Sequence, residues 1–139
     1  MRKKIIISCF GRRNNYLTPN YLNKQNYLKM MFTDIYLNNF TRNLLFNINK
    51  FFKINLLDQL YLRSSKNLPS FKVNSYPLIR VKSLIRSLLN KYINKNNFDI
   101  YHKFIYEAQL FNQNVIYRLS FISKNFIFYS YRNDSLEVF

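Results

Sequence analysis

Apolar residues recur at helical spacing along the stretch from Val81 to Leu110. A spacing of i, i+3, i+4, i+7, i+8 and i+11 places side chains on one face of a helix and does not suit an extended strand. The first apolar stripe consists of Val81, Leu84, Ile85, Leu88, Leu89 and Tyr92. The second, after a polar loop, consists of Ile100, Phe104, Ala108, Phe111 and Val115. The pattern predicts two amphipathic helices in a hairpin, whose stripes must be hidden against each other or against a third element.

Weaker patterns predict the elements on either side of this hairpin. Helical periodicity follows Thr33-Asp34, a typical helix start, and continues with one interruption to Arg63. The stretch from Ser64 to Pro77 is rich in turn residues and is predicted to be a linker that runs over the surface. Apolar and polar residues alternate from Ile116 to Tyr131 around a turn-like Ser123-Lys124-Asn125, which favours a β-hairpin.

Together these patterns predict a mainly α protein. It would have a helical hairpin core, a basic N-terminal extension and a small β-hairpin near Ile116–Tyr131. The corresponding division of the chain is a basic arm at 1–32, a helical extension at 33–63, a linker at 64–77 and the helical core at 78–139. A chain of 139 residues holds at most a single core, so these parts are expected to serve one domain.

Charge narrows the range of partners. The chain has 22 Lys and Arg residues against 6 Asp and Glu residues, a formal net charge of +16 at pH 7. Such an excess repels itself in the free protein and favours a polyanion, because each neutralised phosphate releases condensed counterions. Nucleic acid is the first candidate and an anionic membrane surface the second. Tyr16, Tyr21 and Tyr27 lie among the basic residues of the arm, where their rings could stack on unpaired bases.

Several classes of function find no support in the sequence. No stretch of eighteen apolar residues is free of charge, because Arg118 and Lys124 interrupt the best candidate, so no transmembrane segment is expected. A single cysteine, Cys9, excludes an internal disulfide and cannot form a metal site alone. One His (His102) and six carboxylates form no recognisable catalytic constellation, and the single glycine excludes a Gly-rich phosphate loop. We expect no enzyme, metal or cofactor.

Codon bias suggests where the gene resides. Asn, Lys, Ile, Phe and Tyr are abundant, whereas the chain has one Gly, one Ala, three Pro and no Trp. The favoured residues have AT-rich codons, a bias typical of organellar genomes. We therefore expect coding in a mitochondrion or a plastid and, as the first choice, a protein of the mitochondrial matrix. Such a protein needs no import signal, and the basic N-terminal stretch is not taken as a transit peptide.

The hairpin resembles part of the universal small-subunit ribosomal protein seven. Leu84-Ile85 and Leu88-Leu89 are similar to that family's first helix, and Tyr76 stands near the tyrosine that precedes it. Phe104-Ile105-Tyr106-Glu107-Ala108 is similar to the second helix, and the only alanine of the chain falls where the family motif has one. Ser135-Leu136-Glu137-Val138-Phe139 resembles the start of the third helix.

The resemblance covers about half of the chain, from Lys72 to Phe139. The loop from Ile93 to Phe98 lacks the family's glycine and keeps only Lys95 of its basic pair, and Ile116 to Tyr131 would be an insertion. The family's remaining helices have no counterpart here, which implies a split protein that a second chain completes. The residues expected to contact that chain are Leu136, Val138 and Phe139.

The leading hypothesis is a structural protein of an organellar small ribosomal subunit that binds rRNA beside neighbouring ribosomal proteins; the resemblance implies a location in the head. Basic side chains would contact phosphates, which position a protein without reading sequence. The predicted contacts are Arg2, Lys3, Lys4, Arg12, Arg13, Lys66, Lys72, Arg80, Lys82, Arg86 and Lys95. Each could equally be a solvated surface charge. The alternative is a lineage-specific accessory subunit of a mitochondrial respiratory complex or ATP synthase, with the basic surface against acidic lipids.

Overall fold

The computed structural model describes residues 3–10, 16–52, 63–65, 67–93, 100–122 and 125–130. Within these ranges the strands are β1 (Lys4–Cys9), β2 (Leu28–Thr33), β3 (Val73–Ser75) and β4 (Phe126–Ser130). The helices are α1 (Leu17–Lys24), α2 (Asn39–Phe52), α3 (Leu78–Ile93) and α4 (Ile100–Leu119). A short 3-10 helix at Ser70–Lys72 leads into β3. Strands and helices therefore alternate along the described chain.

The described strands form one parallel sheet in the order β3-β2-β1-β4. The central strand β1 pairs with β2 on one side and with β4 on the other, so that Ile7 lies opposite both Met31 and Tyr129. The short β3 pairs with the end of β2, where Val73 lies opposite Met31. Parallel neighbours need crossover connections, and the helices between the strands supply them.

Strand β1 is central because its sequence suits burial on both faces. Ile5-Ile6-Ile7 is a run of β-branched residues, which favour extended backbone. Ile6 and Ile7 point to opposite faces and neither is exposed to solvent. A continuous apolar run without alternation is typical of a strand in a parallel sheet that is covered on both sides.

Each face of the sheet has its own core. One contains Ile6, Phe10, Phe32, Ile79, Phe111 and Val115, so α4 and the start of α3 pack there. The other contains Ile7, Cys9, Tyr16, Leu28, Met31 and Leu68, with Leu22 of α1 packed against them. The protein is thus a sheet between two layers of packing residues, an arrangement typical of α/β proteins.

The prediction of a mainly α protein is wrong, because the chain is built on a parallel sheet. The predicted basic N-terminal extension supplies the central strand. A short apolar run cannot be distinguished from other buried segments by periodicity, and Arg2-Lys3-Lys4 in front of this one made it look like an arm. The predicted linker similarly contains the 3-10 helix and β3.

The small β-hairpin predicted near Ile116–Tyr131 is also wrong. Helix α4 continues to Leu119, because Val115 and Leu119, four residues apart, both pack into the core beside the sheet. Only Phe126–Ser130 is a strand, and it pairs in parallel with β1 instead of with a neighbouring segment. The apolar and polar residues that alternate from Ile116 to Leu119 belong to the last turn of α4, where Ile116, Tyr117 and Arg118 are exposed.

Both helices of the predicted hairpin are present, as α3 and α4, and they contact each other. The described side chains of the predicted α3 stripe are exposed, however. Val81, Ile85 and Leu89 are 49%, 51% and 52% exposed, whereas Ile79 and Ser83 are buried. Helix α3 therefore presents part of its apolar stripe to solvent.

Candidate nucleic-acid interface

An ion-pair network lies at the carboxyl end of the sheet. Asp34, which directly follows β2, has no solvent exposure. Arg80, in the first turn of α3, donates from Nε and Nη2 to Asp34 Oδ2 at 3.0 and 2.8 Å. Its Nη1 donates to Oε2 of Glu107 on α4, and Arg63 Nη1 lies 3.4 Å from Asp34 Oδ1. One arginine therefore connects the end of β2 to both helices of the hairpin.

The network compensates buried charge. The carboxylates of Asp34 and Glu107 are almost fully buried, and a buried carboxylate is costly unless it is paired and hydrogen-bonded. Arg80 also lies over the ring of Phe10, with its guanidinium carbon 4.8 Å from the ring centroid. The aromatic face attracts the cation and covers it from water. These contacts orient α3 and α4 on the sheet.

The same network determines the charge of the outer surface. Of the six acidic residues of the chain, Asp58, Asp99, Asp134 and Glu137 lie outside the described residues, which leaves Asp34 and Glu107. Both are buried and paired with arginine. The described part of the surface therefore carries basic side chains with no acidic side chain among them. The exposed cations there are Lys3, Lys4, Lys24, Lys50, Lys82, Arg86 and Arg118.

The residues predicted to contact RNA fall into three groups. Outside the described residues lie Arg2, Arg12, Arg13, Lys66 and Lys95. Exposed on the surface are Lys3, Lys4, Lys82 and Arg86. The third group is only partly exposed: Lys72 Nζ donates to Asn23 Oδ1 at 2.8 Å, and Arg80 belongs to the ion-pair network. The residues predicted to contact a second chain, Leu136, Val138 and Phe139, also lie outside the described residues.

The structure brings some of the exposed cations together and separates others. Lys82 and Arg86 are four residues apart on α3 and therefore lie on one face of that helix. The guanidinium of Arg86 lies over the ring of Tyr106 on α4, 4.2 Å from its centroid. Lys4 lies at the amino end of β1, where its Nζ donates to Asn26 O, whereas α3 begins at the carboxyl end of the sheet. The α3 pair and the Lys3-Lys4 pair are thus two separate basic sites.

Tyr16 is a structural residue instead of a stacking ring. It is fully buried, its hydroxyl donates to Ile35 O at 3.1 Å, and its ring packs edge-on against Tyr36 with the centroids 5.8 Å apart. Burial raises the pKa of Tyr16 to about 12, because the charged phenolate would lose its hydration. Of the three tyrosines expected to stack on bases, Tyr21 is the well-exposed one and Tyr27 is half-buried.

Sequence patterns did not reveal a cavity of about 610 Å³ between the start of α2 and the 3-10 helix. We call it the Phe40–Phe71 cavity, after the two rings that line it. Its other lining residues are Tyr36, Asn38, Asn39, Asn67, Leu68, Pro69 and Ser70. Phe40 and Phe71 are 77% and 82% exposed. Helical spacing cannot show this, because Phe71 reaches the cavity from a separate segment.

The walls of the Phe40–Phe71 cavity are held by short hydrogen bonds. The Tyr36 hydroxyl shares its single hydrogen between two carbonyl oxygens, Leu68 O at 2.7 Å and Ser65 O at 3.0 Å. Burial raises the pKa of Tyr36, although the hydrogen bond to Ser65 and the positive charge of Arg42 act against that shift. Asn38 accepts from the Thr41 backbone N–H at 2.8 Å, as a helix N-cap does. These bonds tie the loop after β2 to the segment before β3.

Other kinds of site are not formed by the described residues. No three of their His, Cys, Asp or Glu side chains are grouped so that they could hold a metal ion. Cys9 is buried in the core. None of the helices in the described ranges combines the length and the apolar character that a membrane crossing requires.

Comparisons with protein-family models, with curated proteins and with solved structures found no match. The function of the basic surface and of the cavity is therefore inferred from their own geometry and charge.

Proposed function

We propose that the protein binds RNA through its basic outer surface, as a structural constituent of an organellar small ribosomal subunit. One observation carries the binding proposal: the acidic side chains of the described residues are buried and paired with arginine, so none of them offsets the surface cations. With a net charge of +16 for the whole chain, phosphate contacts are favoured by counterion release. Such contacts position a protein and carry little sequence information.

The α3 pair is the best-defined phosphate site among the predicted contacts. Lys82 and Arg86 are both exposed on the same helical face, and the Tyr106 ring under Arg86 restrains the guanidinium. Restraint lowers the conformational entropy that binding must remove. Arg80, two residues before Lys82, is held inside the network and is not part of this site.

The ribosomal form of the proposal rests on charge and composition. The residue types that AT-rich codons favour are abundant throughout the chain, as expected for an organelle-encoded component. The resemblance to ribosomal protein seven implied a helical core, which is not the fold of this chain, so location in the head and completion by a second chain remain predictions. Neither is used in the tests that follow.

The ribosomal form is tested by sedimentation of the tagged protein from its own organelle through a sucrose gradient. We expect recovery with small-subunit rRNA, and dispersal of the protein after treatment with ribonuclease. Comigration with a detergent-solubilised respiratory complex, unaffected by ribonuclease, would rule it out.

RNA binding itself is tested by the salt dependence of affinity for a single-stranded oligonucleotide. Replacing both residues of the α3 pair, Lys82→Glu with Arg86→Glu, should weaken binding and lower the slope of log K against log salt by about 1.4, because each lost phosphate contact on a single strand contributes about 0.7. The matched control is Lys24→Glu with Lys50→Glu, which changes the net charge equally on α1 and α2. Equal losses in both variants would show that charge acts without a defined site.

A specific observation also favours the lipid alternative. Leu78, Val81, Ile85 and Leu89 form an exposed apolar stripe on α3, next to the basic pair. An apolar face flanked by cations suits the surface of an acidic membrane. Flotation with phosphatidylserine vesicles tests it: the variant Ile85→Gln with Leu89→Gln should lose flotation if this alternative holds, and should keep its RNA affinity if the leading proposal holds.

A further inference from the structure

We infer that the Phe40–Phe71 cavity holds an unpaired nucleobase of the bound RNA; the inference rests on the proposed RNA binding and adds a second kind of contact to it. Phe40 is 77% exposed and Phe71 is 82% exposed, so two large apolar rings remain in contact with water. They come from separate segments, the first turn of α2 and the 3-10 helix, and line the same cavity. Exposed rings facing a common space provide stacking surfaces for a flat, uncharged group.

The polar lining of the cavity suits the edge of a base. Asn39 and Asn67 are exposed side chains with both donor and acceptor atoms, and Ser70 adds a hydroxyl. Amide and hydroxyl groups match the mixed donors and acceptors on the edges of a splayed base. The lining contains no ionised side chain, so the cavity itself suits a neutral group.

Charge next to the cavity favours a nucleotide over a neutral sugar. Lys72 directly follows Phe71, and its Nζ is held by Asn23 Oδ1 at 2.8 Å, a neutral partner that leaves the positive charge uncompensated. Arg42 lies in the first turn of α2, two residues after Phe40. A base that enters the cavity brings a phosphate with it, and the positive charges of Lys72 and Arg42, each within two residues of a cavity ring, attract that phosphate. A volume of about 610 Å³ lies within the range of small-ligand pockets, so it accommodates a base with its ribose.

The test compares two single-stranded oligonucleotides of equal length and phosphate number, one with uracil bases and one abasic. We expect the full-length protein to prefer the base-bearing oligonucleotide about 10-fold or more, since stacking on aromatic rings is worth that much. The variant Phe40→Ala with Phe71→Ala should lose the preference but keep its affinity for the abasic strand. Phe40→Tyr with Phe71→Tyr retains the rings and should keep the preference.

Two controls make the outcome interpretable. Phe121→Ala removes a ring that is 66% exposed, lies two residues beyond the end of α4 and does not line the cavity. This variant should keep the preference for the base-bearing oligonucleotide. Thermal melting of every variant shows whether the fold is retained. Because both cavity rings are exposed, their removal should leave the melting temperature close to that of the native chain.

Failure of this inference is distinguishable from failure of RNA binding. Equal affinity of the native chain for both oligonucleotides overturns the base pocket and leaves charge-driven RNA binding intact. Binding of neither, even at about 50 mM salt, overturns both. Maltoheptaose binding that requires Phe40 and Phe71, without a preference for bases, would assign the cavity to a neutral sugar and also overturn the inference.

Discussion

Arginine has opposite surroundings in two regions of this molecule. At the carboxyl end of the sheet, Arg80 is hydrogen-bonded to the buried carboxylates of Asp34 and Glu107. On the outer face of α3, Arg86 is exposed and lies over the neutral ring of Tyr106. Folding thus places the negative charges of Asp34 and Glu107 inside the protein and leaves positive charges such as that of Arg86 on its surface. Because the described carboxylates are directed inwards, the charged side chains on the described surface are all basic, which the composition alone does not reveal.

The largest loss of stability should come from breaking the ion-pair network of Asp34, Arg80 and Glu107. Asp34→Asn removes the carboxylate that accepts from Arg80 and Arg63, and we expect it to lower the free energy of unfolding by about 3 kcal/mol, because a buried pair that loses one partner leaves a charge uncompensated. Both arginines are partly exposed, which places the estimate at the lower end of the usual range. Urea unfolding monitored by circular dichroism measures the change.

The matched comparison for Asp34 is Glu107→Gln on α4. Glu107 is paired with Arg80 alone in the network, whereas Asp34 is paired with both arginines, so the loss should be smaller. If the two variants lost the same free energy, or if Asp34→Asn lost less than about 1 kcal/mol, the network would not be what holds α3 and α4 against the sheet.

An effect of intermediate size is expected at Tyr16, a buried polar group that is neutral at ordinary pH. Burial raises its pKa to about 12 in the folded protein, from 10.0 in the unfolded chain. The unfolded state therefore loses this proton first, so stability is fully present below about pH 10 and falls as the pH rises towards 12, by about 2 kcal/mol or slightly more.

Urea unfolding between about pH 9 and pH 12 checks the Tyr16 prediction against a Tyr16→Phe variant. The variant lacks the hydroxyl and should lose stability less steeply over this range. Burial also raises the pKa of Tyr36 and Tyr76, so some alkaline loss should persist in it. Identical slopes in both proteins would show that Tyr16 ionises as easily in the fold as in the unfolded chain.

The smallest loss of stability should come from replacing exposed cations on the surface. Lys24→Gln and Lys82→Gln remove exposed cations on α1 and α3, and each should change the free energy of unfolding by less than about 0.5 kcal/mol. The same urea assay measures both variants. A loss comparable to that of Asp34→Asn would contradict the distinction between the buried ion pairs and the exposed surface cations.

Part of the fold could be predicted from local sequence and part could not. The apolar spacing on either side of residues 94–99 predicted two helices, which are α3 and α4. The sheet was missed because its pairs are distant in sequence: Lys4 lies opposite Phe126, and no local pattern connects them. The exposure of Val81, Ile85 and Leu89 on α3 was not predicted, for a similar reason. The contacts of Arg80 with Glu107 and with the Phe10 ring help to orient α3, and both partners are distant in sequence.

The candidate site shows the same division. Lys82 and Arg86 were predicted as exposed basic residues and they are exposed, because a helical face that carries several polar side chains turns to water. Arg80 was predicted to contact RNA together with Lys82 and Arg86. Its carboxylate partner Asp34 lies 46 residues away, so no local pattern indicated the ion pair. The Phe40–Phe71 cavity could not be anticipated, because its two rings come together only when β2 and β3 pair.

By itself, the sequence determined the excess of positive charge and the amphipathic character of α3 and α4, since both follow from which residues are present and how they are spaced locally. The tertiary structure decided which charged side chains are buried and which lie on the surface. Parallel pairing of distant strands brings Asp34, Arg80 and Glu107 to one edge, and buried carboxylates must be compensated there. Because Asp34 and Glu107 are withdrawn from the surface, the charges exposed on the described residues are all positive.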